Sequence, residues 1–190
     1  FVMGPNAADS TMMWGNYNGF PLHTVTLAEG ILNLCPSATL VPWECDVEKQ
    51  VAAASNAETI VFCGGISPRL EGEEMKVDEP GFKGGDRTMI ELPQSQRDVL
   101  AALHKAGKRV VLVLCSGSAI GLVPEQQTTD AILQAWYGGQ AGGQALAEVL
   151  FGKVNPSGRL PVTFYRSVDQ LPDFEDYNME GHTYRFFRGE

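Results

Sequence analysis

The segment from Gly64 to Leu92 carries the residues of this chain that are best suited to chemistry. Three glutamates stand close together in it: Glu71, Glu73 and Glu74. A short apolar run precedes the segment, and a helical pattern follows it from Gln94. A polar segment of this length between ordered elements is uncommon in a compact domain unless it is a lid or a site loop. Because it follows a predicted strand, it is expected where open α/β sheets bind ligands.

Within this loop, Glu71 is the carboxylate that best suits a general acid. Glycosidic and ester leaving groups need a proton at neutral pH, and a positioned glutamate supplies one. Pro68 restricts the backbone before Glu71 and Gly72 frees it afterwards, which predicts a shaped, non-helical setting, and no lysine lies within a turn. The alternative is that the glutamates form a solvated acidic face. A retaining glycosidase also needs a second carboxyl group about 5–5.5 Å away as nucleophile, and the rest of the sequence supplies no evident one.

Two other motifs have the wrong spacing for the sites they suggest. The run Gly-Gly-Gln-Ala-Gly-Gly at residues 138–143 matches neither a dinucleotide-binding fingerprint nor a P-loop. We therefore interpret its glycines as residues that permit a tight turn and close packing of a helix against a strand. The run Cys-Ser-Gly-Ser at residues 115–118 lacks the Gly-x-Ser-x-Gly of a nucleophile elbow, and the downstream histidine is only His182. Its hydroxyls are predicted to line a pocket or to bond loop backbone.

The composition excludes several classes of partner. A net charge of −9 without any Lys/Arg cluster argues against nucleic acids and anionic membranes. No apolar run approaches the roughly 20 residues that cross a bilayer. The four cysteines and three histidines are scattered, which predicts neither a zinc site nor a cofactor, and Cys63 and Cys115 are interpreted as core residues.

Short apolar runs alternate with helical segments along the chain. The predicted strands are Phe1–Met3, Thr39–Val41, Thr59–Cys63, Arg109–Cys115, Ala131–Ala135 and Leu160–Phe164. The predicted helices are Thr24–Leu34, Val47–Ala54, Gln94–Ala106 and Gln140–Phe151. This alternation predicts an α/β fold with a doubly wound, mostly parallel sheet sandwich of the flavodoxin-like kind. Val110–Leu114 has no polar alternation, which predicts a central strand.

The chain is long enough for one well-packed domain, which we expect to span residues 1–165 and to carry the loop at 64–92. Residues 166–190 mix acidic and aromatic side chains without a period, which predicts an irregular tail that leads to a missing C-terminal region. The chain begins within a predicted strand and stops at Glu190 without a terminator. We therefore expect it to be a piece of a longer protein.

Seven blocks together resemble the second domain of glycoside hydrolase family 3, in order through nearly the whole chain. They are Gly4-Pro5-Asn6-Ala7, Gly15-Asn16-Tyr17-Asn18-Gly19, the loop Gly64–Leu92, Val111-Leu112-Val113-Leu114, Ala-Trp-Tyr-Gly-Gly-Gln-Ala-Gly-Gly at 135–143, Asn-Pro-Ser-Gly-Arg-Leu-Pro at 155–161, and Thr183-Tyr184-Arg185. The activities that this resemblance implies are those of β-glucosidases, β-xylosidases and related exo-acting enzymes. The resemblance implies that a TIM-barrel domain carries the nucleophilic aspartate and that an α/β sandwich contributes the acid/base glutamate on a loop.

The resemblance also assigns roles to individual residues. Glu71 is most similar to the acid/base glutamate, counting from Gly65, and Glu73 is the alternative because some relatives have a Ser-Gly-Glu-Gly form in another register. Asn16, Tyr17 and Glu73 are implied as substrate-binding residues. The form of residues 15–19 resembles the xylosidase-like branch, which favours pentose substrates. Independently of the resemblance, Asp86-Arg87 is predicted to form a local ion pair or to anchor the loop, and the alternative is contact with the sugar.

By this resemblance, the chain is the acid/base-contributing domain of a retaining exo-β-glycosidase that releases terminal β-linked glucose or xylose. Trp14 and Trp43 lack a preceding Ser-Asp, so the nucleophile motif of the barrel is missing, and we expect the chain alone to be inactive. The implied partners are a β-glycoside or oligosaccharide and an N-terminal TIM barrel of the same parent chain, with no cofactor. The family favours a periplasmic or secreted location.

The alternative is a non-catalytic α/β module that binds a carbohydrate or a partner. A glutamate rather than a glutamine at position 71 favours the enzyme. In the chain without its barrel, Glu71 is expected to be substantially exposed to solvent.

Overall fold

The chain folds around a parallel β-sheet. The structure is a computed structural model and describes residues 1–71, 75–182 and 184–189. The strands in these residues are β1 (Val2–Met3), β2 (Thr59–Gly65), β3 (Phe82–Lys83), β4 (Asp86–Arg87), β5 (Arg109–Cys115) and β6 (Ala131–Gln134). The α-helices are α1 (Leu27–Leu34), α2 (Val47–Ala53), α3 (Pro68–Glu71), α4 (Gln94–Lys105), α5 (Glu125–Thr128) and α6 (Gly142–Leu150), and Met12–Trp14 and Val168–Gln170 form 3₁₀ turns.

The main sheet has the order β1-β2-β5-β6, and all its strands are parallel. β5 lies between β2 and β6, so Val110–Leu114 is central, as predicted. The register of β2 and β5 runs from Thr59 opposite Arg109 to Gly65 opposite Cys115. Because the two strands end level, the loops that follow them begin side by side. β3 and β4 form a separate antiparallel hairpin within the loop that follows β2.

Helices cover both faces of this sheet. Val110, Leu112 and Leu114 belong to a buried cluster on one face, together with residues of α4. Val113 and Cys115 belong to the cluster on the other face, with residues of α1 and α6. An uninterrupted apolar strand is stable only when both of its faces are buried. The doubly wound α/β architecture is therefore confirmed.

Two glycines allow α1 and α6 to approach each other closely. A Cβ atom on Gly30 would lie 2.0 Å from the carbonyl oxygen of Gly143, and one on Gly143 would lie 2.0 Å from that of Thr26. The N–H of Gly143 donates to the carbonyl of Val25 at 3.1 Å. The glycine-rich run at 138–143 thus permits close packing, but at Gly143 the packing is between two helices rather than between a helix and a strand as predicted.

The predicted helices are present, with small differences at their ends. α1 begins at Leu27 rather than at Thr24, because Thr26 caps it: the Thr26 hydroxyl accepts the backbone N–H of Glu29 at 3.1 Å. No helix among the described residues is long and apolar enough to span a membrane.

Two of the predicted strands differ. In place of the strand predicted at Thr39–Val41, the structure has an isolated parallel bridge between Leu40 and Val2. The prediction of a strand at Leu160–Phe164 is wrong, since these residues do not pair with any strand of the sheet. Pro161 lacks the N–H that a strand ladder needs, and Phe164 instead packs edge-to-face on Trp136 at a centroid distance of 6.1 Å. The division of the chain into residues 1–165 and 166–190 stays a prediction.

Candidate active site

Loops that follow β2, β5 and β6 meet at the carboxyl edge of the sheet. Gly65, the last residue of β2, has φ +120°, and a Cβ atom on it would lie 1.9 Å from the carbonyl oxygen of Cys115. That carbonyl also accepts the N–H of Ile66 at 2.9 Å. A glycine is required here because it combines a positive φ with contact between two backbones. The segment from Gly64 to Leu92 thus leaves the sheet at the edge predicted for it.

Glu71 closes a helical turn, so the prediction of a non-helical setting is wrong. The carbonyl of Ser67 accepts the N–H groups of Leu70 and Glu71, both at 2.8 Å. Pro68 starts α3, where its fixed φ suits the helix and its missing N–H would have no partner anyway. The restriction by proline therefore favours a helical turn instead of preventing one.

The carboxylate of Glu71 accepts hydrogen bonds from three donors on two other loops. Oε1 accepts the backbone N–H of Gly117 at 2.7 Å and the hydroxyl of Tyr137 at 2.9 Å. Oε2 accepts the hydroxyl of Ser118 at 3.1 Å. Glu71 is partly buried, which corrects the expectation of substantial exposure. The hydroxyls of the 115–118 run are predicted to line a pocket or to bond loop backbone, whereas the Ser118 hydroxyl bonds the side chain of Glu71.

Gly117 leaves little space for a side chain beside this carboxylate. A Cβ atom there would lie 3.0 Å from Glu71 Oε1 and 3.2 Å from Tyr137 Cε2. A side chain at position 117 would therefore require the Glu71 carboxylate or the Tyr137 ring to shift by a few tenths of an ångström.

Tyr137 donates to Glu71 through a hydroxyl that keeps its proton. Burial, together with the negative charge of Glu71, raises the pKa of its hydroxyl well above the usual value, so the hydroxyl stays protonated at neutral pH. The residue before it, Trp136, has φ +55°, an uncommon conformation for a side chain of this size. The packing of Trp136 on Phe164 holds this turn, which follows the end of β6 and brings Tyr137 to the site.

Arg87 supports the same cluster from the hairpin. Its Nη2 donates to the hydroxyl of Ser118 at 3.1 Å and to the carbonyl of Ala119 at 3.2 Å. Burial lowers the pKa of the guanidinium, and the charge of Glu71 opposes that shift. Of the two predicted roles of Asp86-Arg87, the anchoring of the loop is confirmed at Arg87.

A second contact fixes α3 from the other side. Arg69 pairs with the carboxylate of Asp9 and donates to the hydroxyl of Thr11 at 2.8 Å. Asp9 also accepts the backbone N–H groups of Thr11 and Met12. Burial raises the pKa of Asp9, but these hydrogen bonds and the charge of Arg69 outweigh it, so the pKa lies below its usual value.

The predicted substrate-binding residues are placed differently from one another. Asn16 and Tyr17 are exposed. A Cβ atom on Gly15 would lie 3.8 Å from the ring of Tyr137, so the chain that leads into Asn16 passes beside the Glu71 cluster. Glu73, named both as the alternative acid/base and as a substrate-binding residue, lies outside the described residues.

An open groove adjoins this segment. It measures about 400 Å³. The residues that line it are Trp14, Asn18, Gly19, Phe20, Pro21, Gly139 and Gln140. Trp14 and Phe20 form an edge-to-face pair with centroids 6.0 Å apart. Aromatic walls with nearby amides are suited to a small polar ligand with apolar faces.

Sequence reasoning did not single out Tyr137, although it follows a predicted strand at the same sheet edge as Glu71. Its place just after a predicted strand, at the edge where such sheets bind ligands, could have identified Tyr137 as a site residue. Among the described residues, no group of three or more His, Cys, Asp or Glu side chains is arranged to hold a metal ion. The cluster can hold a carboxyl group in a fixed orientation at a partly solvated surface, which is what a general acid or base needs.

Comparison with known proteins identifies the family. The glycosyl hydrolase family 3 C-terminal domain model matches residues 1–189. A xylan 1,4-β-xylosidase of Xylanibacter ruminicola is 59% identical over 142 residues, which cover 75% of this chain and 16% of that protein. A periplasmic β-glucosidase of Salmonella typhimurium is 42% identical over 138 residues, which cover 73% of this chain and 17% of that protein.

Solved structures agree with this result. A family 3 exo-β-xylosidase in complex with a xylobiose aziridine probe matches 100% of this chain with a TM-score of 0.81 and 25% identity, and the match covers 26% of that protein. A β-glucosidase from Listeria innocua in complex with isofagomine matches 89% with a TM-score of 0.76 and 25% identity, covering 23% of its length. The chain thus spans about a quarter or less of these relatives. It belongs to glycoside hydrolase family 3, as a C-terminal domain of that family.

Proposed function

We propose that this chain is the acid/base-contributing domain of a retaining exo-β-glycosidase, with Glu71 as the acid/base residue. The observation that carries the proposal is the position of the Glu71 carboxylate at the carboxyl edge of the sheet, held there by Gly117, Ser118 and Tyr137. A proton donor must be held in one orientation to transfer its proton efficiently, and three hydrogen bonds from two loops provide that restraint.

In this proposal Glu71 acts twice. Protonated Glu71 gives its proton to the leaving-group oxygen while a nucleophile attacks the anomeric carbon. The resulting carboxylate then takes a proton from a water molecule, and the water attacks the glycosyl-enzyme intermediate. The second step regenerates protonated Glu71.

The nucleophile belongs to another part of the parent chain. The relatives in the comparison are about four times as long as this chain or longer, which leaves room for a preceding TIM barrel with a nucleophilic aspartate. The sugar then occupies a cleft between barrel and sandwich, a favoured place for small-ligand sites. Asn16, Tyr17 and Glu73 are proposed to line this cleft.

Xylose or glucose in terminal β-linkage is the proposed substrate. The support is that the relatives are named as β-xylosidases and β-glucosidases, with the xylan 1,4-β-xylosidase at 59% identity. One of them is named as periplasmic, which supports an extracytoplasmic location for the parent enzyme.

The decisive experiment uses Glu71→Gln in the full-length parent enzyme. We expect hydrolysis of substrates with poor leaving groups to slow by about 10²–10⁴-fold, because these need protonation, and activated aryl glycosides to slow far less. Added azide should restore turnover and give a β-glycosyl azide. The matched control is Glu58→Gln: Glu58 is 85% exposed and forms an ion pair with Arg109 away from the cluster, so activity should stay unchanged.

Glu73→Gln separates the two candidates. If Glu73→Gln shows the leaving-group dependence and azide rescue while Glu71→Gln behaves like the wild type, the acid/base role passes to Glu73. If neither variant changes hydrolysis, the domain is a non-catalytic module and the proposal fails.

A further inference from the structure

We propose that Tyr137 is a positioning residue that reserves Glu71 Oε1 as the non-reacting oxygen, so that Oε2 carries the transferred proton. This inference rests on the proposed acid/base role of Glu71. It concerns which oxygen reacts and which side chain decides it.

The two oxygens of Glu71 have different surroundings. Oε1 accepts two hydrogen bonds, at 2.7 Å from Gly117 N–H and at 2.9 Å from the Tyr137 hydroxyl. These two donors occupy both lone pairs of Oε1; the Gly117 amide can only donate, and the Tyr137 hydroxyl would have to rotate away from its present contact before it could accept. A proton on Oε1 would therefore have to displace a donor. Oε1 is fitted to be the carbonyl oxygen of the protonated acid.

Oε2, in contrast, accepts one hydrogen bond from the described residues, and the donor is a hydroxyl that can reverse its role. The Ser118 hydroxyl donates to Oε2 at 3.1 Å and also lies 3.1 Å from the Arg87 guanidinium, which donates to it. A hydroxyl has one proton and two lone pairs. It can donate to ionised Oε2 while accepting from Arg87, and after rotation it can accept from protonated Oε2 as well. Both protonation states of Oε2 are thus satisfied without movement of the backbone.

The turn that carries Tyr137 is built to hold it in place. Trp136 adopts φ +55°, and its ring packs on Phe164. The ring of Tyr137 lies where a Cβ on Gly117 would be 3.2 Å away and one on Gly15 would be 3.8 Å away. Uncommon backbone conformations of this kind persist only where packing determines them, and they concentrate at functional sites.

The test is Tyr137→Phe in the full-length parent enzyme. Without the hydroxyl, Glu71 can rotate and protonate at either oxygen. We expect kcat/KM for substrates with poor leaving groups to fall by about 10- to 100-fold, mostly through kcat, with activated aryl glycosides nearly unchanged. The matched control is Tyr165→Phe, which removes a tyrosine hydroxyl that donates to the His182 carbonyl at 3.0 Å, and which should leave both substrate classes unaffected.

A double variant distinguishes positioning from a general structural role. In the Glu71→Gln background no acid remains to be positioned, so adding Tyr137→Phe should cost no more than about 2-fold. A multiplicative loss in the double variant, or an equal loss for all leaving groups in Tyr137→Phe, overturns the inference. If Tyr137→Phe does not yield folded enzyme, Gly117→Ala disturbs the same oxygen and must show the same leaving-group dependence.

Failure of the proposed function gives a different result. In that case Glu71→Gln itself shows no leaving-group dependence and no azide rescue. If Glu71→Gln behaves as an acid/base variant but Tyr137→Phe matches the wild type, only the inference about Tyr137 is wrong.

Discussion

The backbone nitrogen of Gly117 lies 2.7 Å from Glu71 Oε1, in a position where a Cβ atom would lie only 3.0 Å from the same oxygen. The contact joins the turn after β5 to the turn after β2, and these two strands end level in the sheet. A substitution at position 117 can therefore shift the Glu71 carboxylate while residue 71 itself stays a glutamate.

Gly117→Ala should displace the Glu71 carboxylate, because the added Cβ would lie 3.0 Å from Oε1. In the parent enzyme we expect a loss of up to about 10-fold in kcat/KM, since the carboxylate must shift by a few tenths of an ångström and a misplacement of about 1 Å costs on the order of 100-fold. Steady-state kinetics with substrates of different leaving groups measure it. Gly158→Ala is the control, because nothing lies within 4 Å of a Cβ built there and activity should not change. Wild-type kinetics for Gly117→Ala would mean that the carboxylate position is not critical.

The isolated chain should hydrolyse p-nitrophenyl β-xyloside and β-glucoside no faster than background. The physical reason is that a lone general acid contributes only about 10²–10⁴-fold, and the proposed nucleophile lies in another part of the parent. Assays with purified chain at high concentration measure this. Turnover that survives dialysis and follows the protein through purification would show that these residues contain a nucleophile.

Asp9→Asn should destabilise the chain at neutral pH and have little effect in acid. Hydrogen bonds and Arg69 hold the pKa of Asp9 below its usual value of 3.8, so its charge stabilises the folded state above that value and the contribution is lost as the pH falls through the folded pKa. We expect a difference of about 1 kcal/mol in the free energy of unfolding at pH 7. Urea denaturation at pH 7 and near pH 3 gives both values. Asp98→Asn, at an exposed position on α4, is the control, and a pH-independent effect of Asp9→Asn would contradict the assignment.

Arg97→Gln should destabilise the chain strongly near pH 7 and less near pH 5. Glu125 is 1% exposed and its Oε1 lies 3.6 Å from Arg97 Nε, so the substitution leaves a buried charge unpaired, at a cost of about 3 kcal/mol. Burial raises the pKa of Glu125, and the folded state therefore binds a proton more readily than the unfolded state. Protonation at lower pH relieves the penalty.

Chemical denaturation at both pH values tests this prediction. Arg109→Gln is the matched control, because it breaks the exposed pair with Glu58 and should cost no more than about 1 kcal/mol. Equal effects of the two substitutions would show that the Arg97–Glu125 pair behaves as a surface pair.

Several features of this protein could be predicted from its sequence because they depend on local patterns. The apolar run at Val110–Leu114 can be buried only with both faces covered, and that requirement fixed its central place in a parallel sheet. The edge at which the 64–92 loop leaves the sheet follows from strand direction alone. The succession of short motifs was sufficient to identify the family.

Other features were decided by the tertiary structure. The apolar residues of 160–164 fit a strand pattern, but packing of Phe164 on Trp136 and the missing N–H of Pro161 place them outside the sheet. From sequence, Pro68 is compatible both with the end of a helix and with the first residue of a helical turn. The structure has the helical turn, because the carbonyl of Ser67 accepts the N–H groups of Leu70 and Glu71.

The surroundings of Glu71 were the least accessible to sequence reasoning. Its partners Gly117, Ser118 and Tyr137 lie between 46 and 66 residues away along the chain. Hydrogen bonds need donor and acceptor positions correct to a few tenths of an ångström. Those positions depend on the register of β2 with β5, on the turn at Trp136 and on the space left by a glycine. The sequence by itself determined that a glutamate would stand at this edge of the sheet, and only the tertiary structure decided which groups hold it there, because their geometry is set by packing between distant segments.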